Sequence, residues 1–241
     1  MLIERRDCVM ATHGKKYRKA SEGVSREKPV PMAEALAKVK QLAYAKFDES
    51  VDVDVRLGID ASKSDQGVRG SVVLPHGSGK KARVIVFAKG DAAEVAQRAG
   101  ADYVGVEDLI EKIEGGWLEF EYAVATPDLM GVVGRLAKLL GPRGLLPNKK
   151  LGTVTLDVGP VVENLKKGQQ FFKNDKGGIV HFSIGRVSFD AQRLQDNFSS
   201  FIRALIATRP ASAKGRFIRA VTVSSTMGVG LSVSLDDELR V

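Results

Sequence analysis

Hydrophobic and polar positions change rhythm twice along this chain of 241 residues. Residues 51–59 alternate strictly, with Asp52, Asp54 and Arg56 set between Val51, Val53, Val55 and Leu57, which predicts a half-buried strand. Before it, residues 31–47 place Leu36, Val39, Leu42, Ala43 and Phe47 near one side of a helix, and Pro31 suits its first turn. Residues 70–74 predict a further strand, broken by Pro75, Gly77 and Gly79. From 83 to 88 the alternation gives way to a continuous apolar run, the pattern of a strand buried on both faces. A helix at 91–100, a strand at 103–104, a helix at 107–114, a strand at 122–125 and a helix at 126–140 are expected to follow. After Gly159 and Pro160 the first rhythm returns. Strands at 170–173 and 179–184 are expected to pair around the hairpin turn Asn174-Asp175-Lys176-Gly177-Gly178. Residues 190–207 predict a helix with Leu194, Phe198, Phe201, Ile202, Leu205 and Ile206 on one face. Strands at 216–224 and 231–235 are joined by a turn-rich stretch starting at Ser225.

Strand alternating with helix at this spacing predicts a small parallel, Rossmann-like sheet in the middle of the chain. Mixed α+β sequence flanks it on both sides. The expected fold class is α+β / α/β, with two domains. A basic arm occupies 1–20, a discontinuous α+β domain spans 21–75 plus 160–241, and an inserted α/β domain spans 76–159, with hinges near Pro75 and Pro160.

Charge adds direction. The net charge is +8, but residues 91–121 hold nine acids against two bases, so that segment is −7 and the remainder +15. A phosphate-rich partner would therefore be held on one side. Residues 11–20 carry no acid and are expected to be irregular when free. Residues 129–156 carry none either, while Arg143, Lys149 and Lys150 sit in or beside a loop shaped by Gly141, Pro142, Gly144 and Pro147. A third acid-free window, 197–235, surrounds Ser224-Ser225-Thr226-Met227-Gly228, whose small hydroxyl side chains and bent backbone admit an RNA 2′-hydroxyl. In Lys46-Phe47-Asp48-Glu49-Ser50 two readings stay open: Phe47 in the core, or Phe47 against a sugar or base with Lys46 on a phosphate.

Other function classes fit poorly. Gly79-Lys80 is followed by Lys81 and lacks the upstream glycine of a phosphate loop, and Gly131-Val132-Val133-Gly134 is not placed as a dinucleotide fingerprint. His13, His76 and His181 have no ligand spacing, and the single Cys8 leaves no intrachain disulfide or multi-cysteine metal site. No enzyme activity, no cofactor and no metal are expected. No apolar run would span a bilayer and no secretory stretch opens the chain, so no membrane partner and a reducing, cytoplasmic setting are expected.

Four segments, in order, carry a resemblance: Arg69-Gly70-Ser71-Val72-Val73-Leu74-Pro75-His76-Gly77, Leu140-Gly141-Pro142-Arg143-Gly144-Leu145-Leu146-Pro147-Asn148, Asn174-Asp175-Lys176-Gly177-Gly178 and Ser225-Thr226-Met227-Gly228. Together they resemble the family of bacterial large ribosomal subunit protein one, the protein of the mobile lateral stalk, from about Met10 to the C-terminus. The resemblance implies a protein that is monomeric when free and binds large-subunit ribosomal RNA mainly through the discontinuous domain. It further implies residence in the large ribosomal subunit, help in releasing deacylated transfer RNA from the exit site, and repression of its own operon through its messenger RNA. By motif match, Lys46, Phe47, Ser50, Lys176, His181, Ser225, Thr226, Met227 and Gly228 form the RNA surface, while Arg143, Lys149 and Lys150 become a secondary RNA contact. Family members usually begin near Met10, so residues 1–9 are expected to reflect an upstream start-codon assignment. Leu146 stands where methionine is common and Lys149 where proline is common; the second change removes a φ restraint and adds a charge that favours phosphate.

Overall fold

A computed structural model describes residues 14–22, 24, 29–61, 63–213 and 215–234. Helix α1 (Lys15–Ser21), strand β1 (Val30–Pro31) and helix α2 (Met32–Leu42) lead into strands β2 (Ser50–Leu57) and β3 (Arg69–Val73). Strands β4 (Val84–Phe87), β5 (Tyr103–Gly105) and β6 (Tyr122–Ala125) then alternate with helices α3 (Asp91–Arg98) and α4 (Glu107–Glu114). The short α5 (Met130–Val133) and α6 (Ala137–Leu140) precede α7 (Val158–Lys167). Strands β7 (Gln169–Lys173) and β8 (Ile179–Arg186), helix α8 (Ala191–Ala207), and strands β9 (Ile218–Ser225) and β10 (Leu231–Ser234) follow.

The two ends of the described chain meet in one five-stranded sheet, ordered β1-β10-β9-β2-β8. Strict alternation in β2 sends Val51, Val53, Val55 and Leu57 inward, where they meet Leu36 and Val39 of α2 and Leu194, Phe198 and Phe201 of α8 in a single core. Phe182 and Phe201 stack at 4.2 Å, and Phe172 meets both rings edge-on. The middle of the chain forms a parallel sheet, β5-β4-β6. Ile85, Phe87, Ala123 and Ala125 face one core with α4 and the 127–140 segment. Val84, Val86 and Val124 face the other, with Ala96 of α3 and Val162 of α7. Cover on both faces is why 83–88 reads as a continuous apolar run.

The five-stranded sheet and the parallel sheet are bridged by a third. Strands β3 and β7 pair with each other alone, and neighbouring rings on β7 point opposite ways. Phe172 enters the first core, while Phe171 packs against the inserted body. Both connections cross beside this layer. The Leu74 amide donates to the Gly168 carbonyl (3.4 Å), and a Cβ at Gly168 (φ +107°) would stand 2.8 Å from Gly77 Cα. Buried Asn197 of α8 holds the outgoing connection: its Oδ1 accepts from the His76 amide (3.2 Å), and its Nδ2 donates to the carbonyls of Gly77 (3.0 Å) and Ile184 (2.7 Å).

Several sequence expectations need correction. Part of the basic arm is helical: five of the seven residues in α1 are Lys, Arg or Ala, all strong helix formers, although none of the seven is buried. The helix expected to reach Phe47 stops at Leu42, because Glu49 takes the Ala45 amide (2.9 Å) and draws the following segment out of helical geometry. Residues 174–178 do turn, with Asp175 Oδ1 accepting from the amides of Gly177 and Ile179 (both 2.8 Å), but β7 and β8 do not form a hairpin ladder. Opposed burial of Phe171 and Phe172 commits β7 to β3, and β8 pairs with β2. Residues 127–140 are not one regular helix but alternate 3-10 and α turns, with Gly131 and Gly134 inside the run. Pro160 is no break. It lies in the first turn of α7, where a proline costs no intrahelical hydrogen bond, so the expected boundary at 159/160 cuts a helix that belongs with the parallel sheet. The chain leaves that helix at Gly168.

Candidate nucleic-acid interface

The turn after β9 is fixed by its neighbours rather than by its own length. The Gly228 amide donates to the Ser225 carbonyl (3.0 Å). A Cβ on Gly228 would overlap the Ser225 hydroxyl, so a side chain there would have to displace Ser225. Thr226 and Ser50 bond reciprocally: Thr226 Oγ1 accepts from the Ser50 amide (3.0 Å), and the Thr226 amide donates to the Ser50 carbonyl (3.1 Å). Tyr44 Oη donates to the Met227 carbonyl (2.8 Å).

Glu49 anchors the arrangement. It is 1% exposed, and its carboxylate accepts from the amides of Ala45 (2.9 Å) and Met227 (3.0 Å), joining two segments far apart in sequence. Burial alone would raise its pKa. The Ser225 hydroxyl beside it and the amides of Met227, Ala45 and Tyr44 outweigh that and hold the pKa below the ordinary value. Sequence reasoning missed Glu49; its only signal was a carboxylate inside the Lys46–Ser50 segment.

With the backbone so held, Phe47 (57% exposed) and Met227 (49%) project into solvent. This decides the open question at Phe47 against the core. Lys46 is exposed and forms no ion pair among the described residues. Ser225, expected at the RNA surface, instead turns inward at 3% exposure and supports the turn from below. Lys15 and Lys16 of α1 stand across a hollow of 570 Å³ from Tyr44, Thr226, Met227 and Gly228, so the arm flanks the same site.

The solvent face of the five-stranded sheet carries the surface onward. Register places Asp52 beside Ser183 and Ser224, and Asp54 beside His181 and Thr222. From Ser50 to Asp54 the strand advances about 13 Å. His181 Nδ1 lies 2.6 Å from Asp54 Oδ1, and its Nε2 lies 3.7 Å from Asp175 Oδ2. The hydrogen bond to Asp54 raises the ring's pKa; burial opposes this and the charges of Asp54 and Asp175 add to it. Asp52 is raised, mainly by burial and further by the charge of Asp54, with Ser183 and Lys80 opposing. Lys176 is exposed without an ion pair among the described residues. The structure thus brings the residues expected at the main RNA surface onto one face, Ser225 excepted, and places Asp52 and Asp54 among them. Carboxylates there repel phosphate but can accept from base amino groups or 2′-hydroxyls.

Arg143 lies apart, in a cleft beside β3 and β7, and Lys149 is exposed outside that cleft. The Lys150 side chain lies outside the described set. Among the described residues no cluster of His, Cys, Asp or Glu could hold a metal ion, and no helix is long and apolar enough to cross a membrane.

Comparison with known proteins agrees with this architecture. The profile of the ribosomal protein L1p/L10e family matches residues 39–229. The chain is 57% identical over 224 residues to the large ribosomal subunit protein uL1 of Azoarcus sp. (strain BH72), covering 93% of this chain and 97% of that protein. It is 55% identical over the same length and coverage to the large ribosomal subunit protein uL1 of Methylobacillus flagellatus.

Proposed function

Because the chain belongs to the ribosomal protein L1p/L10e family, we propose that it serves the large ribosomal subunit as a non-enzymatic RNA-binding protein whose main RNA surface is the face built around Glu49. One observation carries this assignment. A buried carboxylate and a hydrogen-bonded turn immobilise backbone that presents Thr226, Met227 and Phe47 to solvent beside unpaired Lys46. Rigid backbone with an exposed apolar side chain suits the sugar edge of a folded RNA. The lysines supply phosphate affinity with a steep salt dependence.

On this reading Lys46, Phe47, Ser50, Thr226, Met227 and Gly228 form the centre of the contact, Lys176 and His181 its far end, and Arg143, Lys149 and Lys150 a secondary contact. Large-subunit ribosomal RNA is the principal partner, in the cytoplasm and on the ribosome, for a chain that is monomeric when free. The family resemblance extends the role to release of deacylated transfer RNA from the exit site. It also extends it to repression of the chain's own operon, with the messenger RNA competing for the same face. In filter-binding titrations of a ribosomal RNA stalk fragment, Met227→Asp is expected to weaken binding by about a hundredfold and Thr226→Ala by about tenfold, with thermal unfolding midpoints preserved. Wild-type affinity in both variants would refute the assignment. The operon messenger RNA should lose affinity in parallel, and a messenger that binds both variants normally would separate repression from this face.

A further inference from the structure

A second basic site lies away from Phe47 and Met227. A cleft of 540 Å³ opens between the β3/β7 layer and the inserted body, within the range of roughly 300–1,000 Å³ typical of small-ligand sites. Arg69 and Lys173 line it as directly opposed partners across β3 and β7. Arg143, from the loop at 141–148, lines it as well. No side chain of the three forms an ion pair or hydrogen bond among the described residues. Like charges set opposite each other on paired strands are unfavourable without an anion to share. The lining also contains one carboxylate, Glu121, but Arg83 holds it through a backbone amide (2.7 Å) and a guanidinium (3.6 Å). Apolar surface completes the cleft: Leu145, Leu146 and Phe171, whose ring meets Tyr122 edge-on at 5.6 Å.

We propose that this cleft binds a single unpaired nucleotide, its phosphate shared by Arg69, Arg143 and Lys173 and its base against the apolar wall. Three free cations beside an aromatic and aliphatic surface are the elements of single-strand recognition. The nucleotide comes either from an RNA strand or from a free nucleoside monophosphate. The strand as source rests on the RNA-binding role proposed above. Lys173 runs directly into the turn bearing Lys176, so a strand held in the cleft would continue toward the sheet face.

The test uses the full chain and a fluorescein-labelled oligouridylate, read by anisotropy across a salt series, with GMP as competitor. Arg69→Ala combined with Lys173→Ala is expected to weaken oligouridylate binding by about tenfold, and Arg143→Ala by several-fold. Each removed cation should lower the slope of log affinity against log salt by about one. Binding of the structured ribosomal RNA fragment should stay within about twofold in the Arg69→Ala/Lys173→Ala variant, while Met227→Asp should show the converse pattern. Thermal melting confirms folding, and Arg69→Lys preserves the charge if alanine destabilises β3. Displacement by GMP assigns the site to free nucleotides as well as strands; oligouridylate binding without displacement assigns it to strands alone. Oligouridylate affinity unchanged by all three substitutions overturns the proposal, whatever Met227→Asp does to ribosomal RNA.

Discussion

Glu49 and His181 sit at opposite ends of the candidate surface and titrate in opposite directions. The Ser225 hydroxyl and the amides of Met227, Ala45 and Tyr44 hold Glu49 below its ordinary value of 4.5, so its contribution is present above that value and disappears as pH falls through the lowered pKa. His181 is raised above 6.5 by Asp54 and by the charges of Asp54 and Asp175, so its pairing is complete below 6.5 and disappears as pH rises through the raised value. The arrangement described here is therefore intact in the window between. Asp54→Asn removes one of the two charges and leaves only a neutral acceptor beside the ring. A proton NMR titration of the His181 ring should show a midpoint above 6.5 in the natural protein, and the substitution should return it toward 6.5. A natural midpoint at or below 6.5 would show that the two carboxylates do not clamp the ring. Because the charged ring attracts a phosphate more strongly than the neutral ring, affinity for ribosomal RNA should weaken across the same alkaline limb.

At the scale of elements, α8 does two jobs. Its apolar face fills the core, and Asn197 on the same helix satisfies three backbone groups, two of them on the connection at His76 and Gly77. Asn197→Ala leaves those groups buried without partners and should cost about 2–4 kcal/mol in urea unfolding. Amide exchange should accelerate at His76 in particular, and undiminished protection there would show that the connection is held by something else. The core side of α8 was legible in the sequence because its apolar period is helical, as β2 was legible from alternation and β4 from a continuous apolar run. Strand pairing was less so. A turn at 174–178 fits a hairpin locally, yet the partner of β7 depends on which cores receive Phe171 and Phe172. Helix α7 was hidden by Gly159 and Pro160, which break a pattern in a helix interior but are accommodated in its first turn. The site divides the same way. Exposed groups at 226–228 carried a chemical signature, but the anchor at Glu49 gains meaning only from a partner 178 residues away.

For the whole molecule, the decisive geometry is where the two bodies join. Acidic charge in the inserted body is partly paired locally, as in Arg98 with Glu94 and Lys166 with Asp102, and exposed pairs of this kind add little stability. The relative placement of the bodies rests instead on the β3/β7 layer and on the crossing of Gly77 and Gly168. Gly168 occupies a left-handed conformation, and any side chain there meets the Gly77 backbone. Gly168→Ala should therefore add roughly 1–3 kcal/mol of local strain and displace the crossing while leaving both cores intact. Spin labels on exposed positions of α4 and α8 should report a shifted or broadened distance distribution. The same variant should lose more oligouridylate affinity than ribosomal RNA affinity, since the cleft needs both bodies in register while the Glu49-anchored turn lies wholly on the discontinuous body. An unchanged distance distribution with unchanged melting would show that the crossing of glycines does not set how the two bodies meet.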